Sequence, residues 1–316
     1  MKHLKKIIEI KNYVKVSMLT LVLATSLQSC NKDELTIIND DVPTTQALNN
    51  LFDSKLASIT TIQTFDASTT LNYVSPKGVK LTLVGSCLRK NGNPVTGQVK
   101  VKYIELFDKG TMLTTNKPTL GVLAGNKEIL YSGGEFFIEA YQEDVLLTLS
   151  CPFSLEIPTA LTGGTQSGML PFKGTIDAEG NLSWEQATTY ELVTNVQAAT
   201  PVYAALIPNF GWFNCDKFAS VTGPKTTITA NVPAGYGANS GIFLSVKTFP
   251  NALGKSYGKF PVGMECYLIF ITEKNGQFRY AIKPQTLTAD HQVTFDLSET
   301  TLATPDQLTT AINALP

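Results

Sequence analysis

Cys266-Tyr267-Leu268-Ile269-Phe270-Ile271, followed by Asn275-Gly276 and then by Gln277 to Ile282, is the stretch that decides the fold class. The first run has no polar side, which is how a strand reads when both of its faces are buried. Asn-Gly accepts the positive φ that a two-residue hairpin turn demands at its central positions, so the two runs are predicted to pair antiparallel.

Working outward, strand signals recur at short intervals. Val79 to Leu88 alternates, with Leu81, Leu83 and Cys87 on one side and Lys80, Thr82 and Ser86 on the other. Gln98 to Phe107 repeats the pattern with Val99, Val101 and Tyr103 inward. Its phase then changes at Ile104 and Leu106, which suggests a bulge. Glu128 to Ser132 and Glu135 to Tyr141 read as strands joined through Gly133-Gly134, by a turn or a bulge. Val145 to Cys151 and Phe153 to Ile157 follow, and Gly168 to Trp184 reads as a hairpin around Asp177 to Asn181. Thr227 to Val232 and the set Val293, Phe295 and Leu297 mark later strands. One helix is predicted, at the C-terminus. Thr304 can cap it, Pro305 suits its first turn, and Leu308, Ile312 and Leu315 share a face. Charged residues are only 16% of the chain and Thr is abundant, as on β surfaces where branched side chains fit the pleat. The expected class is all-β. Two β-sandwich-like domains are expected, over 51–190 and 191–316, the second ending in the helix.

Before them lies a leader. Lys2, Lys5, Lys6, Lys11 and Lys15 precede an apolar stretch from Val16 to Leu27 that is too short and too interrupted to span a bilayer. Leu27-Gln28-Ser29-Cys30 resembles the bacterial lipobox. That resemblance implies removal of residues 1–29 as a lipoprotein signal peptide and acylation of Cys30, giving a membrane anchor through an N-terminal lipid. Two or three acyl chains hold a protein stably where one does not. Asn31-Lys32-Asp33-Glu34 resembles the surface-export signal of Bacteroidota lipoproteins. The resemblance implies an outer-membrane location, at the cell surface or on the periplasmic face. Residues 30–50 are mostly polar and read as a lipidated tether. Asn91 to Val99 resembles a turn found in Ig-like and carboxypeptidase-regulatory-like sandwiches of bacterial surface proteins. That resemblance implies architecture and no activity.

Composition excludes several function classes. The leader takes five lysines and one acid with it, so the remaining chain is net acidic and has no basic stripe; nucleic acid is not an expected partner. One histidine remains beyond the leader, His291 in Asp290-His291-Gln292. A multi-histidine metal centre is therefore excluded, no metal or cofactor is expected, and a catalytic triad would have to use a turn residue. Cys87 and Cys151 share strand parity with core residues. One bridge per half, Cys87–Cys151 and Cys215–Cys266, is the attractive arrangement, with buried free thiols the alternative.

Glu135 and Glu139 share a strand face, but four residues of strand span roughly 13 Å, and glycosidase carboxylates stand about 5–9.5 Å apart. Asp177, Glu179 and Asn181 alternate like a calcium loop but lack its length and distal Glu, so they read as a hairpin turn. Gly235-Tyr236-Gly237 precedes no helix and is no dinucleotide loop. The most distinctive segment is Phe210 to Phe218. Trp212, Phe213, Asn214 and Asp216 could stack on sugar rings and bond hydroxyls, or could form a core strand with a polar turn. No catalytic residue is assigned. The expected function is a non-catalytic binding, adhesion or structural module of the cell envelope, with a polysaccharide or an envelope protein as partner. A glycan-active hydrolase or glycan-binding protein is the alternative.

Overall fold

The computed structural model describes residues 42–316, except 179, 197–199, 220, 221 and 248. The leader, Cys30 and most of the expected tether lie outside these residues. The chain is mostly β, as its patterning predicts, and three sheets carry the architecture.

The first sheet has eight strands and is built on one long strand, Asn126–Gln142. Gln98–Leu106 and then Thr61–Asp66 pair on one side of it, and Gly211–Phe218, Leu170–Ile176 and Leu182–Gln186 on the other. Leu120–Leu123 then pairs parallel with the last of these at Trp184, and antiparallel with the start of the long strand. Five strands thus close into a ring. Glycine is needed where the ring is tight. A Cβ on Gly174 would lie 2.5 Å from the Trp212 Cβ and 2.9 Å from Leu182 Cδ1.

The second sheet has the order Glu191–Asn195, Val202–Ile207, Phe153–Pro158, Lys80–Val84, Thr70–Val74, all antiparallel. Leu81, Leu83, Leu155, Ile157, Tyr203 and Ile207 pack from it onto Val99, Val101, Tyr103, Phe136, Ile138 and Phe213 of the first sheet. The third sheet runs Leu253–Lys255, Ser240–Val246, Glu265–Lys274, Gln277–Thr286, Thr301–Ala303. The Asn275-Gly276 hairpin forms as predicted, with φ of 53° and 75° and Lys274 opposite Gln277.

The first sheet is buried on both faces. Its second face contributes Ile104, Leu106, Leu130, Phe172, Trp184 and Trp212 to a core shared with Ile269, Ile271 and Phe278 of the third sheet and with three helices. Leu268, Phe270 and Cys266 point the other way into a third core. This explains two sequence features. The apolar run at 266–271 sits between two cores. The phase change at Ile104 and Leu106 is no bulge: the strand keeps its register through Tyr103↔Ile138 and Leu106↔Glu135, and the face that is exposed at Gln98 and Lys100 becomes covered by the second core at Ile104 and Leu106.

The expected cut between 190 and 191 does not separate the sheets. Glu191–Asn195 and Val202–Ile207 belong to the second sheet and Gly211–Phe218 to the first. The described residues, from Val42 to Pro316, form one compact unit. The polar stretch on which the boundary rests contains a strand, Glu191–Asn195, that pairs antiparallel with Val202–Ile207.

Among the described residues there are three α-helices where the patterning predicts one. α1 (Thr45–Ser58) begins inside the expected tether. The Thr44 hydroxyl accepts from Ala47 N at 3.1 Å, and Leu48 and Phe52 are buried. α2 (Lys109–Thr114) is capped by Asp108, whose carboxylate accepts from Thr111 N at 2.8 Å. α3 (Pro305–Asn313) is the predicted helix, with a Thr304/Gln307 capping box and Leu308 and Ile312 buried. Lys55 of α1 pairs with Asp306 of α3 at 2.7 Å. α2 and α3 approach closely at Gly110, whose amide donates to Asn313 Oδ1 at 2.8 Å. A Cβ there would lie 2.3 Å from the Thr309 carbonyl oxygen. Backbone cannot yield as a flexible side chain does, so Gly110→Ala is expected to cost about 1–3 kcal/mol of stability. An unchanged urea midpoint would contradict this packing.

Candidate functional site

The acids and the aromatic segment meet at the centre of the first sheet. The long strand bulges at Gly133-Gly134, where Gly134 has φ of 122°, and the facing strand shifts register between Asn214 and Asp216. The double irregularity gathers Ser132, Glu135, Asn214 and Asp216, none of them exposed. The Ser132 hydroxyl donates to Asn214 Oδ1 at 3.1 Å, Asn214 Nδ2 to Asp216 Oδ2 at 2.6 Å, and Gly133 N to Asp216 Oδ1 at 3.3 Å. Both Glu135 carboxyl oxygens lack a hydrogen-bond partner among the described residues.

Burial raises the Glu135 carboxyl well above the ordinary range; the Asp216 charge adds to this and Lys117 opposes it. Burial also raises Asp216, opposed by the nearby Ser132 hydroxyl and by the bond it accepts from Gly133 N. The Lys117 ammonium is pushed down by burial, opposed by Glu135 and Asp53, and donates to the Thr115 carbonyl at 3.1 Å. Lys255 is pushed down to about 8 by burial and by repulsion from Lys117 and Lys127, while Asp177 holds it up. Its ammonium donates to Asn116 Oδ1 at 2.8 Å and Asn181 Oδ1 at 3.0 Å. Two carboxyls thus meet across strands in a way that sequence spacing alone could not show. They face packed side chains on the covered side of the sheet, where no substrate reaches them.

The sugar-stacking expectation for the aromatic segment is corrected. Trp212 is 8% exposed, Phe213 1%, and Asn214 and Asp216 are fully buried. Trp212 packs on Phe137 at 5.1 Å and Trp184 at 6.3 Å between ring centroids, with the Lys117 ammonium 5.5 Å from its own. Phe213 packs on Phe136 and Tyr190 in the opposite core. The segment is a strand covered on both sides, and its polar residues belong to the buried cluster.

The remaining sequence candidates are dispersed. His291 is buried and its Nδ1 accepts from Thr288 N at 3.2 Å. Asp177 accepts from Asn181 N at 2.8 Å and pairs with Lys127 at 3.6 Å, as a turn residue does; Glu179 lies outside the described residues. Glu139 accepts from its neighbour Tyr141. Among the described residues no group of three or more His, Cys, Asp or Glu is placed to hold a metal. Cys87 and Cys151 form a disulfide with Cα atoms 5.4 Å apart. Cys215 and Cys266 are free and buried, so the second expected bridge is absent. They sit in different cores with the first sheet's second face between them.

An open site lies elsewhere. The outer face of the second sheet carries aligned rows. Val74, Lys80, Glu156, Ala204 and Val193 form one, and Asn72, Thr82, Ser154, Leu206 and Glu191 the next. Lys80 and Glu156 pair at 3.0 Å with exposed heads. A cleft of about 510 Å³ crosses this face, lined by Gly78, Lys80, Glu156, Pro158, Asn195, Thr200, Val202 and Ala204. The alternation at Val79 to Leu88 marked Lys80 as outward-facing; its partner Glu156 required the strand register.

Two outcomes test this account. A carboxyl raised in the folded state stabilises the fold in acid, and that contribution is lost as pH rises from the ordinary carboxylate range through the raised value. The urea midpoint should therefore fall as pH rises above the ordinary carboxylate range, and Glu135→Gln should remove much of that slope. An unchanged slope would place the penalty elsewhere. Cys87 and Cys151 are 64 residues apart, and a loop of that length predicts a loss of about 4 kcal/mol for Cys151→Ala. Alkylation of the unfolded, unreduced chain should label Cys215 and Cys266 but not Cys87 or Cys151. No protein-family model, curated protein or solved structure matches this chain.

Proposed function

We propose that this chain is a lipid-anchored lipoprotein of the cell envelope that acts without catalysis, as a binding, adhesion or structural module. The observation that carries the reading is Leu27-Gln28-Ser29-Cys30 at the end of a basic, then apolar, leader. The sulfur of Cys30 is the attachment point, and the outer membrane is the location, at the cell surface or on the periplasmic face. Among the described residues no helix is long and apolar enough to cross a membrane, so acyl chains supply the attachment in this reading.

The body fits a binding role in two respects. Glu135 and Asp216, the acids that meet across strands, are fully buried, which supports a reading without catalysis. Among the described residues nothing is packed across the outer face of the second sheet, which offers a surface to a polysaccharide or an envelope protein. We read the body as a sandwich-like module formed by the first two sheets, with a second β module laid against it. The sandwich relationship suggested by Asn91 to Val99 belongs to this proposal too.

The test is the mass and the location of the exported chain. It should begin at Cys30, carry a diacylglyceryl group and fractionate with membranes, and Cys30→Ser should release it into the soluble fraction or leave the leader uncut. An unmodified Cys30 in a soluble mature chain would overturn the reading.

A further inference from the structure

We propose that the cleft on the outer face of the second sheet binds an uncharged, polyhydroxylated chain, that is, a neutral polysaccharide. This deepens the lipoprotein reading and rests on it for the location of the site.

The cleft, at about 510 Å³, has the size of a small-ligand site. Its floor is small and apolar, made by Gly78, Pro158, Val202 and Ala204. Such a floor suits the C–H face of a sugar ring. On its wall, Lys80 and Glu156 sit side by side on neighbouring strands, 3.0 Å apart. The ammonium offers donors and the carboxylate offers acceptors. A vicinal diol can accept from the first and donate to the second, with no net charge brought in. The pair neutralises itself, so the cleft has no attraction for an anion or a cation. Thr200 adds a hydroxyl at the rim.

The area argues against a second copy as the occupant. Five strands about 4.8 Å apart give a face of about 400 Å². Stable protein interfaces bury about 800 Å² on each partner. Placement also favours an external ligand. Val42, the first described residue, packs against the third core and lies 3.1 Å from where a Cβ on Gly235 would stand. Cys30 is twelve residues earlier, a reach of at most about 40 Å. The open face lies across the first and third sheets from Val42.

The test uses the lipidated chain in detergent, with dextran, mannan and a linear β-glucan as uncharged probes. Polygalacturonate and polylysine are the charged controls. At least one uncharged probe should retard the chain in affinity electrophoresis and neither control should. Glu156→Gln should weaken the retardation about tenfold, a loss of one good hydrogen-bonding partner. Ala204→Arg, which fills the floor, should abolish it, and Val193→Arg at the exposed end of the same row provides a second block should Ala204→Arg misfold. Leu302→Arg, on the third sheet, should bind as the unaltered chain does. Three results overturn the proposal: no uncharged probe retained, retention unaffected by the cleft variants, or a dimer in sedimentation that Val193→Arg dissolves. Retention does not depend on acylation, so its failure is distinct from an unmodified Cys30.

Discussion

Burial of the first sheet on both faces is the constraint on which the rest depends. Asn126–Gln142 pairs with strands on both sides and feeds alternate residues into two cores: Phe136, Ile138 and Ala140 into one, Leu130 into the other. A sheet covered twice cannot use polar residues to solvate either side, so its strands lose the in–out alternation of an antiparallel surface. It also cannot be divided without exposing apolar area on both parts. The second sheet and the third sheet with its helices are each held by an opposite side of this one wall.

Against that background the buried cluster is costly. An unpaired carboxyl in a dry interior becomes neutral rather than charged, and a polar group buried without a partner costs about 1–3 kcal/mol. Asp216 and Asn214 satisfy one another and Ser132, while Glu135 is left without a bond among the described residues. The cluster sits where two irregularities face each other, the glycine bulge and the register shift. Polar groups at such a place favour one pairing of the strands over a slip by one residue, because a slip would move every side chain to the other face.

Much of the fold was legible in the sequence where a local signal and the tertiary outcome agree. Asn275-Gly276 sets its hairpin through backbone conformation alone. Thr304, Pro305 and Gln307 start α3 by capping chemistry that needs no neighbour. Cys87 was placed inward by parity with Leu81 and Leu83. What stayed hidden is what depends on contacts distant in sequence. α1 has Leu48 and Phe52 buried among Asn, Thr and Ser, a stripe too thin to read against a polar background. α2 has six residues and holds its place through α3. Trp212 and Asn214 look like a ligand shelf because aromatic and polar residues alternate. Only the covering of both sheet faces shows that they are core. Glu135 and Asp216 are far apart in sequence, and only register brings them together. The open site was half legible: the pattern gave Lys80 as outward-facing but gave no partner.

Glu135 and Asp216 are buried in the wall, and the Lys80–Glu156 pair lies on the outer face of the second sheet. All of this requires the wall to be closed and indivisible in solution. Native-state hydrogen exchange in a denaturant series tests that most directly. The amides of Phe136, Phe213, Leu155 and Ile269 should converge on one opening free energy, that of global unfolding. Exchange of Ile269 through a separate, lower-energy opening, or fast exchange around Glu135 under native conditions, would contradict a shared wall and reopen the interior as a site.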